Sequence, residues 1–163
     1  MSEVLIVYHS LTGGAAQMAE SAAAGAAREA AIRVRRMPAR DCGAQALLEA
    51  SGYLFVCPEN LASMSGVMKD FFDRTYYAVL ERIVGRPYAT LICAGSDGSN
   101  AARQIERIAT GWRLAAIAAP LIVCTHAQTP EAILRPKQIE PADLARCEEL
   151  GATLGAGLAL GIF

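Results

Sequence analysis

The feature that most constrains the fold is a rhythm of apolar runs. Residues 4–8, 52–57, 88–94 and 117–124 are almost unbroken stretches of Val, Ile, Leu, Ala, Cys and aromatic residues. Runs without polar alternation read as strands buried on both faces, the condition of a parallel sheet covered by helices. A weaker run, Ile32-Arg33-Val34-Arg35-Arg36-Met37, alternates apolar and basic residues. Alternation predicts a half-exposed edge strand, and edge arginines discourage strand addition. Helical spacing fills the gaps, over roughly 14–29, 43–50, 65–83, 99–112 and 141–159. Pro141 suits the first turn of the last helix, and Gly85 and Pro87 are expected to stop the third. Met64, Met68, Phe71 and Thr75 recur at helical spacing, as do Ile105, Ile108 and Trp112; these stripes read as core packing. Five strands alternating with five helices imply an α/β doubly wound parallel sheet with helices on both faces. A chain of 163 residues, 53% hydrophobic, suits one such domain spanning 1–163.

Charge and cysteine usage narrow the class. A net charge of −1 gives no basic footprint for nucleic acid. Cys42, Cys57, Cys93, Cys124 and Cys147 are far apart and show neither metal spacing nor a disulfide framework, which suits a reducing, cytoplasmic setting. No signal peptide is expected ahead of the first strand. The apolar tail from Gly151 to Phe163 is too short to cross a bilayer and reads as the end of a core-packing helix.

Ligands of such sheets lie beyond the carboxyl ends of the strands, so three loops are read together. The first is Ser10-Leu11-Thr12-Gly13-Gly14-Ala15. It runs from an apolar strand through a glycine turn into an alanine-rich helix. Backbone N–H groups then converge at the positive end of a helix, with the Ser10 and Thr12 hydroxyls beside them, which makes an anion pocket suited to phosphate. A plain βα turn with glycines for geometry is the simpler alternative. The loop lacks the Gly-x-x-x-x-Gly-Lys-Ser/Thr of nucleotide triphosphatases, the Gly-x-Gly-x-x-Gly of dinucleotide sites and the cysteine of a phosphatase. The second loop, Pro58-Glu59-Asn60-Leu61-Ala62-Ser63-Met64-Ser65-Gly66, is long for a βα connection. The third is Ala94-Gly95-Ser96-Asp97-Gly98-Ser99. A flat heteroaromatic ligand could lie between these two on backbone groups.

Two stretches carry a resemblance to a known family. They are Ser10-x-Thr12-Gly13-Gly14, and Cys57-Pro58-Glu59-Asn60 leading through Ser63-Met64-Ser65-Gly66-Val67-Met68-Lys69 to Asp70-Phe71-Phe72-Asp73-Arg74. The chain resembles the flavodoxin-like superfamily, on the side of its small FMN-dependent NAD(P)H oxidoreductases, over nearly its whole length. The resemblance implies a five-stranded sheet of order 2-1-3-4-5. It implies FMN phosphate on Ser10, Leu11, Thr12, Gly13, Gly14 and Ala15. The isoalloxazine would lie between Pro58, Glu59, Asn60, Leu61, Ala62, Ser63 and Met64 on one side and Ala94, Gly95, Ser96, Asp97 and Gly98 on the other. Asn60 and backbone amides would meet the ring's polar edge. Asp97 is expected to cap the following helix rather than touch flavin. Ala15 stands where relatives often have threonine, and Glu59 places a carboxylate beside the expected ring, where it would either point away or disfavour an anionic reduced form.

The implied reaction passes electrons from NAD(P)H through FMN to a quinone or similar small acceptor, with no side-chain catalyst and no metal. Neither ring-binding loop holds Trp, Tyr or Phe, so one flavin face would be open, as a reductase needs. An electron carrier or a non-catalytic FMN-binding module is the alternative. His126 follows the last strand on the ligand side, and the segment Thr125–Glu140 carries Arg135 and Lys137, cations that would attract a nucleotide phosphate or simply be solvated. His9 precedes the phosphate loop as a capping or solvent-facing side chain. Phe71, Phe72, Tyr76 and Tyr77 cover more than one face of their helix, which points to a homodimer contact; burial of both phenylalanines is the simpler reading.

Overall fold

A computed structural model describes residues Met1–Phe163. In chain order the elements are β1 (Ser2–Tyr8), α1 (Gly14–Ala26), β2 (Ile32–Pro38), α2 (Ala44–Glu49), β3 (Gly52–Asn60), β4 (Ser63–Met64) and α3 (Gly66–Val79). There follow β5 (Pro87–Ala94), α4 (Ser99–Gly111), β6 (Ala115–Ala116), β7 (Leu121–Cys124), α5 (Pro130–Leu134) and α6 (Pro141–Ala159). The main sheet is parallel and runs β2-β1-β3-β5, with β6 and then β7 along the far edge of β5. Counting β6 and β7 as one interrupted fifth strand, this is the expected 2-1-3-4-5 order. Ile117–Pro120 interrupts that strand, which the sequence reads as continuous over 117–124. Pro120 has no N–H for a ladder.

Alternation along the central strand sorts the core into two layers. Tyr53, Phe55 and Cys57 face α2, α3 and α4; Leu54 and Val56 face α1 and α6. On the first side Phe55 contacts the rings of Phe71, Phe72 and Trp112. Trp112 is fully buried and its Nε1–H donates to the Tyr76 carbonyl at 3.0 Å. Phe71 and Phe72 both enter the core, so of the four aromatic residues on α3 only Tyr77 stands exposed. The helix ends at Val79, before Gly85, because Leu80 is extended and Glu81 turns left-handed.

On the second side, α1 and α6 approach until backbone meets backbone. A Cβ at Gly151 would lie 1.9 Å from the Ala22 carbonyl oxygen, and one at Gly25 would lie 1.8 Å from that of Glu148. The small residues of these helices therefore let two apolar surfaces close at a distance larger side chains forbid.

The edge strand β2 behaves as its alternation predicts. Arg33 and Arg35 reach back to Glu3, a buried carboxylate on β1, with Arg33 Nε 2.6 Å and Arg35 Nη2 2.5 Å from its oxygens. Two guanidinium groups offset the desolvation of one buried charge.

Candidate functional site

β1, β3, β5 and β7 all deliver their carboxyl ends to one edge of the sheet, and a cavity of about 510 Å³ lies there. It is bounded by Thr12 from the first loop, Pro58–Ala62 from the second and Cys93–Ser96 from the third. Thr125, Ala127, Gln128, Ile133 and Lys137 close the remaining side. The size falls within the ordinary range for small-molecule sites, and none of the lining residues is aromatic.

The phosphate-type loop is built from its own backbone. Gly13 sits at φ 97°, a conformation that favours glycine, and is the N-cap of α1. Its N–H donates to Ser10 Oγ at 3.1 Å, which curls the loop. A Cβ at Gly14 would lie 2.6 Å from Cys93 Sγ, so only glycine lets the loop settle on β5. No side chain caps α1 and its first turn holds no acid. Helix geometry leaves the N–H groups of Gly14, Ala15 and Ala16 without intrahelical acceptors. Gln17 ties the loop down: its Nε2 donates to the carbonyls of Gly13 (3.0 Å) and Lys137 (2.8 Å), and its Oε1 accepts from Ile139 N (3.0 Å).

The N-terminus of α4 is the opposite case. Gly98, at φ 87°, has no side-chain cap of its own. The carboxylate of Glu59 reaches across from β3: Gly98 N donates to Oε1 at 2.9 Å and Ala101 N to Oε2 at 3.0 Å. These are the two amides a local capping box would satisfy. Asp97 accepts from Ser99 N (3.2 Å) and Ser99 Oγ (2.9 Å), the capping role expected of it. Glu59 thus lines the cavity while its charge is turned into the positive end of α4. Of these two helix N-termini, that of α4 is filled by protein carboxylates and that of α1 has no side-chain cap.

The second loop is a hairpin rather than an irregular connection. β3 continues to Asn60 and pairs antiparallel with β4, Glu59 opposite Met64 and Asn60 opposite Ser63. Leu61 and Ala62 make the turn, both left-handed at φ 50° and 60°. From α4, Gln104 Oε1 accepts from Met64 N (2.8 Å) and Ser63 Oγ (3.1 Å), and Asn100 Nδ2 donates to the Ala62 carbonyl (2.5 Å). Met64, expected on the helical stripe, is buried on β4 instead.

The sequence-derived residues therefore split. Thr12, Pro58, Glu59, Asn60, Leu61, Ala62, Ala94, Gly95 and Ser96 line one cavity. Ser10, Leu11, Gly13, Gly14 and Ala15 form the adjoining loop and helix start rather than its wall. Ser63, Met64, Asp97 and Gly98 hold the hairpin and α4 in place behind it. The far wall, Thr125 to Lys137, lay outside the residues assigned to the site. Its helix α5 was signalled by Thr129-Pro130, where Thr129 Oγ1 accepts from Ala132 N at 3.2 Å and proline opens the first turn. His126 is exposed and absent from the lining. Lys137 is not free for an anion: its Nζ donates to the carbonyls of Ala132, Ile133 and Arg135 at 2.6–2.8 Å, closing the end of α5. His9 neither caps a helix nor faces solvent freely; it is half-buried, its Nδ1 lies 2.8 Å from Ser65 Oγ, and burial lowers its pKa. Burial pushes the thiol of Cys93, which borders the cavity, up to about 11, and that of Cys57 up to about 12. Burial thus disfavours the ionised form of both thiols.

The family model for NADPH-dependent FMN reductase matches residues 8–129, which hold the three loops together with β3, β5 and β7. The chain belongs to that family. An NAD(P)H dehydrogenase (quinone) of Acidithiobacillus ferrooxidans (strain ATCC 53993 / BNL-5-31) is 38% identical over 107 residues, covering 53% of this chain and 54% of that protein. The chain spans about half the length of this curated relative. Solved structures share the family fold. A flavodoxin from the domain Archaea superposes with a TM-score of 0.80 at 20% identity, over 96% of this chain and 99% of the other. A flavodoxin, WrbA-like protein from Agrobacterium tumefaciens gives 0.74 at 16%, over 98% and 99%. The flavodiiron protein from Giardia intestinalis gives 0.78 at 15%, over 98% of this chain but 37% of that longer one.

Proposed function

We propose that this chain binds FMN and passes electrons from NAD(P)H to a quinone or similar small acceptor. The observation that carries this reading is the pairing of a helix N-terminus without a side-chain cap with an adjoining cavity that has no aromatic wall. FMN would supply the two-electron chemistry. The residues present fit the group. The N–H groups of Gly14–Ala16 with the hydroxyls of Ser10 and Thr12 would hold its phosphate, and backbone of Pro58–Ala62 and Ala94–Ser96 would flank the ring. The cradle at Gly14, which a Cβ would fill, lets the phosphate loop sit against the same strand that borders the cavity.

The protein's part is binding and orientation. Ala15 offers backbone where relatives often have a threonine hydroxyl, which lowers phosphate affinity without removing the helix terminus. Glu59, committed to α4, holds the third loop at a fixed distance from the second. Electron-carrier flavodoxins usually sandwich the ring between aromatic side chains; with none in the lining, one face stays open to a nicotinamide and then to an acceptor. Five unpaired cysteines agree with a cytoplasmic setting, and no helix is long and apolar enough to cross a membrane. A homodimer contact on α3 would rest on Tyr77; a monomer in sedimentation at micromolar concentration would remove it.

The test is FMN titration followed by NADPH oxidation with a quinone. Replacing Thr12 by Ala and Gly13 by Val together should weaken FMN binding by more than about tenfold, roughly 1.4 kcal/mol. Flavin binding without turnover would make the chain a carrier or binding module. Absence of flavin binding would remove both readings.

A further inference from the structure

The tip of the β3–β4 hairpin has no explanation in folding. Two-residue hairpin turns with both positions left-handed favour Asn-Gly, because other side chains are strained there. Here the turn is Leu61-Ala62. Leu61 is also the most exposed large apolar side chain of the protein, its surface wholly in water. A strained backbone carrying an unburied leucine contributes nothing to the core. Yet the hairpin is firmly held, by Asn100 on the Ala62 carbonyl and by Gln104 on Ser63 and Met64. Such a combination marks a functional position.

Leu61 has a counterpart. Ile133 of α5 lines the same cavity and is half exposed, and its neighbour Leu134 is more exposed still. The charged groups of the lining are meanwhile occupied within the protein: the Lys137 ammonium by three carbonyls and the Glu59 carboxylate by two amides. The uncommitted side chains of the lining therefore include an apolar pair, contributed by two separate elements, alongside polar groups such as Asn60, Ser96 and Gln128.

We propose that Leu61 and Ile133 form an apolar collar that selects the electron acceptor, favouring hydrophobic quinones over charged ones of the same ring. This rests on the function proposed above and specifies its second substrate. The balance is NAD(P)H + H⁺ + quinone → NAD(P)⁺ + hydroquinone: the nicotinamide gives up a hydride, solvent supplies one proton, and the two quinone carbonyls become hydroxyls. The collar takes no part in the transfer; it removes apolar acceptor surface from water.

Leu61→Asn is the decisive variant, because asparagine suits the left-handed position and the hairpin should keep or gain stability. Ile133→Ser tests the opposite wall. FMN-loaded wild type and both variants are assayed with menadione and with a naphthoquinone sulfonate, and the ratio of the two kcat/KM values is the readout. The ratio should fall by about tenfold in Leu61→Asn, or about 1.4 kcal/mol, and in the same direction in Ile133→Ser. Menadione binding by equilibrium dialysis, without NAD(P)H, should weaken in parallel. Ratios within twofold of wild type in both variants would overturn the collar while leaving the reductase reading intact. A wild-type protein that binds menadione through Leu61 but turns over no quinone would support the collar and remove the reductase reading. No menadione binding to the wild type would overturn the collar outright.

Discussion

Glu59→Ala should destabilise the protein and loosen the site in one step. The carboxylate joins β3 to α4 through two charged hydrogen bonds, to Gly98 N at 2.9 Å and Ala101 N at 3.0 Å. Losing a helix cap costs about 0.5–2 kcal/mol, and losing a negative charge at a helix N-terminus costs about 0.3–1 kcal/mol more. Gly98 and Ala101 are both buried, so water replaces the lost oxygens poorly and the cost lies toward the upper end, about 2–3 kcal/mol. For a chain of this size that lowers Tm by roughly 4–12 °C. Glu59→Gln keeps one acceptor oxygen and loses the charge, so it should cost about half as much. Urea unfolding of the three proteins, with m held constant, reads these differences directly. The order should be wild type, then Gln, then Ala. FMN affinity should fall in the same order, because the cap positions Ala94–Gly98 beside the cavity. Equal losses for Gln and Ala, or losses under about 0.5 kcal/mol for both, would refute the cap as the reason for this carboxylate.

Three further outcomes follow from the packing. Gly14→Ala should cost about 1–3 kcal/mol by driving a methyl group against Cys93 Sγ, and Cys93→Ala in the same chain should recover part of it; a strictly additive double-mutant cycle would exclude the contact. Gly151→Ala should cost about 3 kcal/mol or more, since its Cβ would meet the Ala22 carbonyl, which cannot rotate away; an unchanged thermal midpoint would mean that α1 and α6 are not so closely packed. His9, with its pKa held by burial below the ordinary 6.5, takes up its proton more readily unfolded than folded. Wild-type stability should therefore be full above pH 6.5 and decline as pH falls through 6.5 toward the folded value. His9→Gln should remove that part of the decline, and identical pH profiles for the two proteins would show that His9 does not contribute to it.

How much was legible in the sequence depends on the range of the interaction that decides each feature. The sequence by itself determined the parallel sheet, its two apolar layers and the glycine loop opening α1. Each is written in local pattern: unbroken apolar runs, helical spacing, and a turn whose Gly13 needs a left-handed backbone. The tertiary structure decided the rest. Nothing near Leu61-Ala62 announces a tight hairpin, since the usual Asn-Gly is missing; Asn100 and Gln104, some forty residues on, hold it. Glu59 reads beside a ring-binding loop as a charge near flavin, and only the packing of β3 against α4 turns it into a helix cap. Lys137 reads as a free cation, and only the fold of α5 brings three carbonyls to its ammonium. Apolar periodicity is visible along the chain because the solvent imposes it residue by residue. The partner of a charge or a strained turn is chosen by which distant segments the folded sheet brings within hydrogen-bond reach.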